Sequence, residues 1–309
     1  MIINKLKIED FEEVFGEELS SFLKTKIEAS NLSYVEPTTK ERDSIIMMVL
    51  QTLSSDTVQK SGPHRANDWV KGWAENANEV SVTKSFESLI PKYFGKFPFV
   101  RWKQEFIKPI NKTFEYEMAK ILQYWIFEKH FGDVEAIYEF GCGTGHNLFR
   151  AQETNPNAKV SGLDWAESSQ TNIKKINKIF NKNFGSHRFD FFNVDKEYKL
   201  QENSGIYTFA ALEQVGASHV DFLNYLLEQK PKVCVHIEPI GEMLNPNSNF
   251  VDYLSVAYFQ KRNYLKGLTR TLANMEAEGK IEIIQKQRSF IGSLFVDGYS
   301  IIAWRPKNA

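Results

Sequence analysis

The stretch Ile137-Tyr138-Glu139-Phe140-Gly141-Cys142-Gly143-Thr144-Gly145-His146-Asn147 decides the fold. It reads as a short apolar strand that runs into a glycine-dense turn and then into the start of a helix. Glycines at alternate positions carry no Cβ, so at those points a ligand can lie directly against the backbone. The helix beginning near Asn147 offers unpaired N–H groups to the same space. A second apolar strand, Ala158 to Leu163, is closed by Asp164, a carboxylate placed to receive two ribose hydroxyls. Strand, glycine turn, helix, strand and acid form the layout of an α/β sheet that binds a nucleoside.

Glycine spacing narrows the ligand. A dinucleotide fingerprint needs G-x-G-x-x-G, whereas this chain has G-x-G-x-G with His146 where the third dinucleotide glycine would fall. A phosphate-binding P-loop is excluded because no Gly-Lys-Ser/Thr follows the turn. Glu139-x-Gly141-x-Gly143-x-Gly145 instead resembles motif I of the class I S-adenosylmethionine (SAM) methyltransferases, in which this loop receives the methionyl part of the cofactor. The resemblance covers roughly residues 110 to 306. It implies S-adenosyl-L-methionine as cofactor, with Glu139, Gly141, Gly143 and Gly145 framing its methionine and ribose. It also implies that Asp164 takes the ribose hydroxyls and that Trp165 stacks on adenine. Asp195, read at the end of the third strand, matches the acid that receives the adenine amino group, unless it only caps a turn. Glu213, at the end of the fourth strand, falls on the cofactor side.

At 309 residues the chain suits one large domain or two modest ones, and 42% hydrophobic content with 24 Phe is enough for a full core. Its 38 basic and 39 acidic residues nearly balance, which argues against nucleic acid as a partner, since phosphate neutralisation needs a basic field. The two cysteines, Cys142 and Cys234, sit in a glycine turn and an apolar strand and read as free thiols of a reducing compartment. The first ten residues mix charge without an apolar stretch, and no run approaches the roughly 20 residues of a membrane span. A cytoplasmic location, no membrane partner and no metal site are the expectations.

Beyond residue 131 strands and helices alternate. Strands are expected near Ala136–Phe140, Lys159–Asp164, Arg188–Asp195, Ile206–Glu213, Lys232–Glu238, Ile281–Ser289 and Tyr299–Trp304. Helices are expected near Asn147–Thr154, Ser168–Phe180 and Val220–Glu228, with a longer one at Val251–Glu278. The reading is an α/β, Rossmann-like, seven-stranded and mostly parallel sheet, closed by an antiparallel hairpin turning at Val296–Tyr299. Residues 1–109 form a helical N-terminal cap that serves as lid and acceptor-binding region, and residues 110–309 form the SAM-binding domain. In the cap, helices are read at Asp10–Lys26 and Thr39–Leu53, a polar loop-like stretch at Ser54–Asn78, and a long helix follows at Thr113–His130.

The sulfonium of SAM is already a good leaving group, so the enzyme has to align the acceptor and remove its proton. Candidate bases lie at the carboxyl ends of the fourth and fifth strands: His219 after the fourth and Glu238 closing the fifth. His146 either approaches the methyl group or packs on a neighbouring strand, and His236 belongs inside the sheet. Tyr93, Arg101 and Trp102 in one aromatic group, and His64 and Arg65 in another, either bind the acceptor or form the packing face of the cap. The segments His236-Ile-Glu238-Pro and Asp297-Gly298-Tyr299-Ser300 resemble methyltransferases associated with bacterial surface polysaccharide. That resemblance implies a small-molecule acceptor, a hydroxyl of a sugar or sugar nucleotide. Methylation of nitrogen or sulfur on a small metabolite, or a non-catalytic SAM sensor, are the alternatives.

Overall fold

The computed structural model describes residues 2–307. Its larger sheet contains seven strands: β1 (Ala136–Phe140), β2 (Lys159–Asp164), β3 (Gly185–Arg188), β4 (Ser204–Phe209), β5 (Val233–Glu238), β6 (Ile281–Arg288) and β7 (Ser300–Pro306). They run in the order β6-β7-β5-β4-β1-β2-β3. The five from β1 to β5 are parallel, and β7 lies antiparallel between β5 and β6. This is the mostly parallel, Rossmann-like sheet that the sequence predicts. Its order reverses between β1 and β4, so a crevice opens there at the carboxyl ends of the strands.

β1 and β5 are buried along their whole length, as a sheet covered on both faces requires. The helix Phe114–Phe131 is wedged between cap and sheet and is buried nearly all round, although its apolar periodicity alone indicates one buried face. One hydrophobic core joins Phe11, Leu23 and Trp102 of the N-terminal part to Ile137, Val160 and Ile237 of the sheet.

Several expected elements differ. Asp10–Lys26 is two helices, Ile8–Phe15 and Ser21–Ala29, because Gly16 adopts φ 75° and its N–H closes the first helix on Glu12. Ser54–Asn78 is not a loop throughout: Ala66–Thr83 is a helix. Its polar residues and Gly72 depress helix propensity, yet Trp69, Trp73, Ala77 and Val80 recur every three or four residues and carry the signal. Val251–Glu278 divides into Phe250–Arg262 and Leu268–Ala277, where Asn263 turns left-handed at φ 54°.

The cap also contains a small antiparallel sheet of Asn4–Lys5, Ser33–Val35, Glu105–Pro109, Val100–Trp102 and Ile291–Gly292. The last of these strands comes from the connection between β6 and β7. That connection is therefore no tight hairpin: Arg288 pairs with Ser300, and the residues between them detour to the cap, where Ile291 pairs with Trp102.

Candidate functional site

The glycine turn is fixed by its neighbours. Gly141 and Cys142 donate their N–H groups to the Leu163 carbonyl at 2.7 and 3.0 Å, locking the turn to the end of β2. Asp164 accepts from the Gly143 N–H with one oxygen and from the Ala166 N–H with the other, both at 2.8 Å. Gly143 sits at φ 54°, and a Cβ there would lie 3.0 Å from the Trp73 ring, so the residue has to be glycine on two counts. Trp73 is held over the turn because Asn172 donates to its carbonyl at 3.0 Å, and Lys175 donates to Ala77 one turn further along at 2.8 Å.

Two lobes meet at this turn, and Gly141 lines both. The first encloses about 510 Å³ between Asp164, Trp165, Phe189, Asp190, Phe191 and Ala211. The second encloses about 1080 Å³ and reaches under the cap, walled by Tyr93, Phe97, Tyr258, Tyr264, Phe295 and Tyr299. Its polar groups include Glu115, Glu213, Arg262 and Gln214. Trp69 and Trp73 stack at 5.3 Å between ring centroids and border both lobes. The buried Trp69 Nε1 and the Gln214 Oε1 have no partner among the described residues.

Of the residues singled out in the sequence, Gly141, Asp164 and Trp165 line the first lobe, and Tyr93, Gly143, His146 and Glu213 line the second. Gly145 shapes the turn from behind, where a Cβ would press on Ile176 and Ile173 at 3.2 and 3.3 Å. His146 is 4% exposed and shares a hydrogen bond with the Thr144 hydroxyl. Burial, aided by Arg150, holds its imidazole neutral.

Other assignments are corrected. Asp195 does not reach the cleft, because β3 ends at Arg188 and the chain then turns; Asp195 pairs with His187 at 2.9 Å. The acid at the end of the third strand that does face the first lobe is Asp190, whose Oδ1 accepts from the Phe192 N–H at 2.9 Å. Glu139 lines neither lobe. It is fully buried and accepts from Asn147 Nδ2 at 2.6 Å, and Asn147 in turn is held by Gln123 and Arg150. Asn147 consequently makes no side-chain cap on the helix it precedes.

Both proposed bases are also occupied elsewhere. His219 packs against the helix Leu268–Ala277, with its Nε2 3.0 Å from the Thr271 hydroxyl, and faces neither lobe. Glu238 accepts the backbone N–H groups of Ala211, Leu212 and Glu213 at 3.2, 3.0 and 3.1 Å, so it shapes the loop after β4. His236 lies inside the sheet between the Thr208 hydroxyl and Trp304 Nε1, both at 3.1 Å.

In the cap, Arg101 is fully buried and donates to the carbonyls of Leu294 and Val251 and to the Ser255 hydroxyl, pinning the β6–β7 connection instead of meeting an acceptor. Trp102 packs on Phe11 at 5.3 Å in the core. His64 is exposed outside both lobes, and Arg65 is tied to Asp68 at 3.0 Å on the outer side of Trp69.

Glu115, Asp190, Tyr258 and Tyr299 line the cleft without having been singled out as site residues by their position in sequence. The i, i+4 spacing of Tyr258 and Arg262 marks one face of a helix, but nothing in the sequence says which face meets the cleft.

Burial dominates the electrostatics. It raises Glu139 and Glu213 to about 8, and Glu115 and Glu238 to about 7. The Glu238 charge adds to the effect at Glu213. In the unfolded chain such carboxyls titrate near 4.3. Between pH 7 and 8.5 the folded chain therefore binds protons that the unfolded chain has already lost, and stability falls as pH rises. Urea denaturation without ligand should show a lower midpoint at pH 8.5 than at pH 7, reflecting a stability lower by roughly 1–3 kcal/mol. An equal or higher midpoint at pH 8.5 would remove this account of the buried acids.

No family model matches the sequence, and no curated protein does at a significant level. Solved structures are similar in chain path. One is the Podospora anserina methyltransferase PaMTH1 bound to S-adenosylhomocysteine (SAH), at 10% identity and a TM-score of 0.46, covering 89% of this chain and 99% of that one. Another is the plantazolicin methyltransferase BpumL in complex with a monoazolic desmethylPZN analog and SAH, at 14% identity and a TM-score of 0.45, covering 80% and 98%. A third is an O-methyltransferase family protein from Burkholderia thailandensis, at 9% identity and a TM-score of 0.44, covering 63% and 60%. At these identities the likeness is one of fold, and the ligands named belong to those proteins.

Proposed function

We propose that this protein is a SAM-dependent methyltransferase acting on a hydroxyl of a small molecule, a sugar or sugar nucleotide. The observation that carries the reading is the pair of lobes meeting at Gly141. One lobe is aromatic and lined by the acids Asp164 and Asp190; the other is larger, aromatic and rich in hydrogen-bonding groups. A nucleoside in the first lobe brings its 5′ substituent to the glycine turn, where the second lobe begins.

The residues present fit the cofactor. A carboxylate offers about four lone-pair positions, and Asp164 spends two on the Gly143 and Ala166 N–H groups, leaving two for a pair of ribose hydroxyls. Asp190 supplies an acceptor for an exocyclic amine, and Trp165, Phe189 and Phe191 supply apolar walls for a base. Trp69 Nε1 and Gln214 Oε1 are polar groups in the walls that lack a partner among the described residues and suit a polar ligand.

When bound, SAM supplies a methyl group on a positively charged sulfur, already activated for transfer. The chain's task is to orient the acceptor, exclude water and hold a proton. Glu213 is the group suited to that last role. It is 8% exposed, lines the second lobe, accepts from Gln214 Nε2 at 2.6 Å, and its backbone is fixed through Glu238. A carboxylate raised to about 8 by burial is a far stronger base than one in water. The phenols of Tyr93, Tyr258, Tyr264 and Tyr299 give the same lobe both stacking surface and hydroxyl partners, which suits a polyhydroxylated ring.

The test is incubation with isotopically labelled SAM and fractionated cell extract, followed by mass spectrometry of whatever gains a methyl group. Label on a sugar hydroxyl supports the reading in full. Label on nitrogen or sulfur overturns the hydroxyl assignment while keeping the enzyme class. SAH binding in calorimetry without any transfer makes the chain a SAM sensor.

A further inference from the structure

A third cavity lies beside the acceptor lobe and shares Phe97 and Glu115 with it. It holds about 750 Å³ of space between the segments Gly95–Val100 and Lys108–Lys112. In a chain whose charges otherwise balance, three of its lining residues are Lys96, Lys108 and Lys112, and Glu115 is the sole acid among them. Lys108 is engaged by Glu41 at 2.8 Å, whereas Lys96 and Lys112 pair with no carboxylate among the described residues.

Glu115 only partly cancels that charge. Its carboxyl accepts the Gly95 N–H at 3.1 Å, and burial raises it to about 7, so near pH 7 it is only about half ionised. The helix Phe114–Phe131 also begins at this cavity, and Thr113 before it makes no side-chain cap. Its positive end therefore adds to the field of the lysines. The net effect is a positive groove that borders an aromatic, hydrogen-bonding lobe and shares Phe97 and Glu115 with it.

We infer that the groove lined by Lys96 and Lys112 is the subsite for a phosphate or diphosphate tail of the acceptor, whose methylated end occupies the aromatic lobe beyond Phe97. This rests on the acceptor reading above and deepens it: the substrate is a phosphorylated small molecule rather than a free sugar. Flexible ammonium groups suit a phosphate as point charges that can follow its position.

The probe is inorganic pyrophosphate, titrated calorimetrically into the full chain saturated with SAH, at ionic strength held constant with sodium chloride. Wild type should bind it, and the double variant Lys96→Gln/Lys112→Gln should bind about tenfold or more weakly. SAH affinity, measured on both proteins first, should be the same, because neither lysine borders the lobes around the glycine turn. Equal pyrophosphate affinity in the two proteins would overturn the subsite, as would no binding to wild type at about 10 mM, a ceiling well above the usual range for a specific anion. Loss of SAH binding in wild type would instead condemn the cofactor reading, so the two failures are told apart.

Discussion

Asp164→Ala is expected to weaken SAH binding by about 100-fold or more, since two hydrogen bonds to a buried carboxylate are worth roughly 3–6 kcal/mol together. The loss has two sources. The variant lacks the acceptors for the ribose hydroxyls, and the Gly143 and Ala166 N–H groups lose the carboxylate that aims them. Circular dichroism and a thermal melt establish that the variant is folded, and calorimetry with SAH then gives the answer. Near wild-type affinity in a folded variant would mean that the end of β2 does not hold a ribose, and the whole assignment of the first lobe would go with it.

The second large effect is expected at Glu213. With the acceptor identified by labelling, Glu213→Gln should lower kcat by about 100-fold, the lower range for removing a general base, while SAH affinity stays near wild type. The pH profile separates a proton acceptor from a residue that merely shapes the cavity. Because burial lifts this carboxyl to about 8, it becomes increasingly ionised as pH rises toward that value. Wild-type kcat should therefore climb with pH through this range, and the glutamine variant should lose that climb. A variant that keeps wild-type kcat, or keeps the pH dependence at reduced rate, would show that the proton leaves by another route.

Sequence alone reveals the sheet and the glycine turn because their signals are local. Tyr138 to Gly145 and Val160 to Asp164 each carry their pattern in consecutive residues, and each is buried in the way its apolar pattern implies. The second lobe is not local. Glu115, Glu213, Tyr264 and Tyr299 come from four separate segments that only the folded chain brings together. Period-two alternation correctly sets His236 and Glu238 on one face of β5, but it cannot say that three N–H groups from the loop after β4 already claim Glu238. Asp195 and Asp190 show the limit of strand-end arguments: a boundary misjudged by a few residues moves an acid from inside a cleft to its outer surface.

The strand Ile291–Gly292 threads from between the last two strands of the larger sheet into the sheet of the cap. Cap and sheet are for this reason interlaced rather than joined in series. Grafting a foreign N-terminal segment at residue 110 would strand this ribbon without its mate, and would leave Arg101's anchorage to Leu294 and Val251 unmade. A transplantable N-terminal unit has to carry the 289–299 detour along with the first hundred residues.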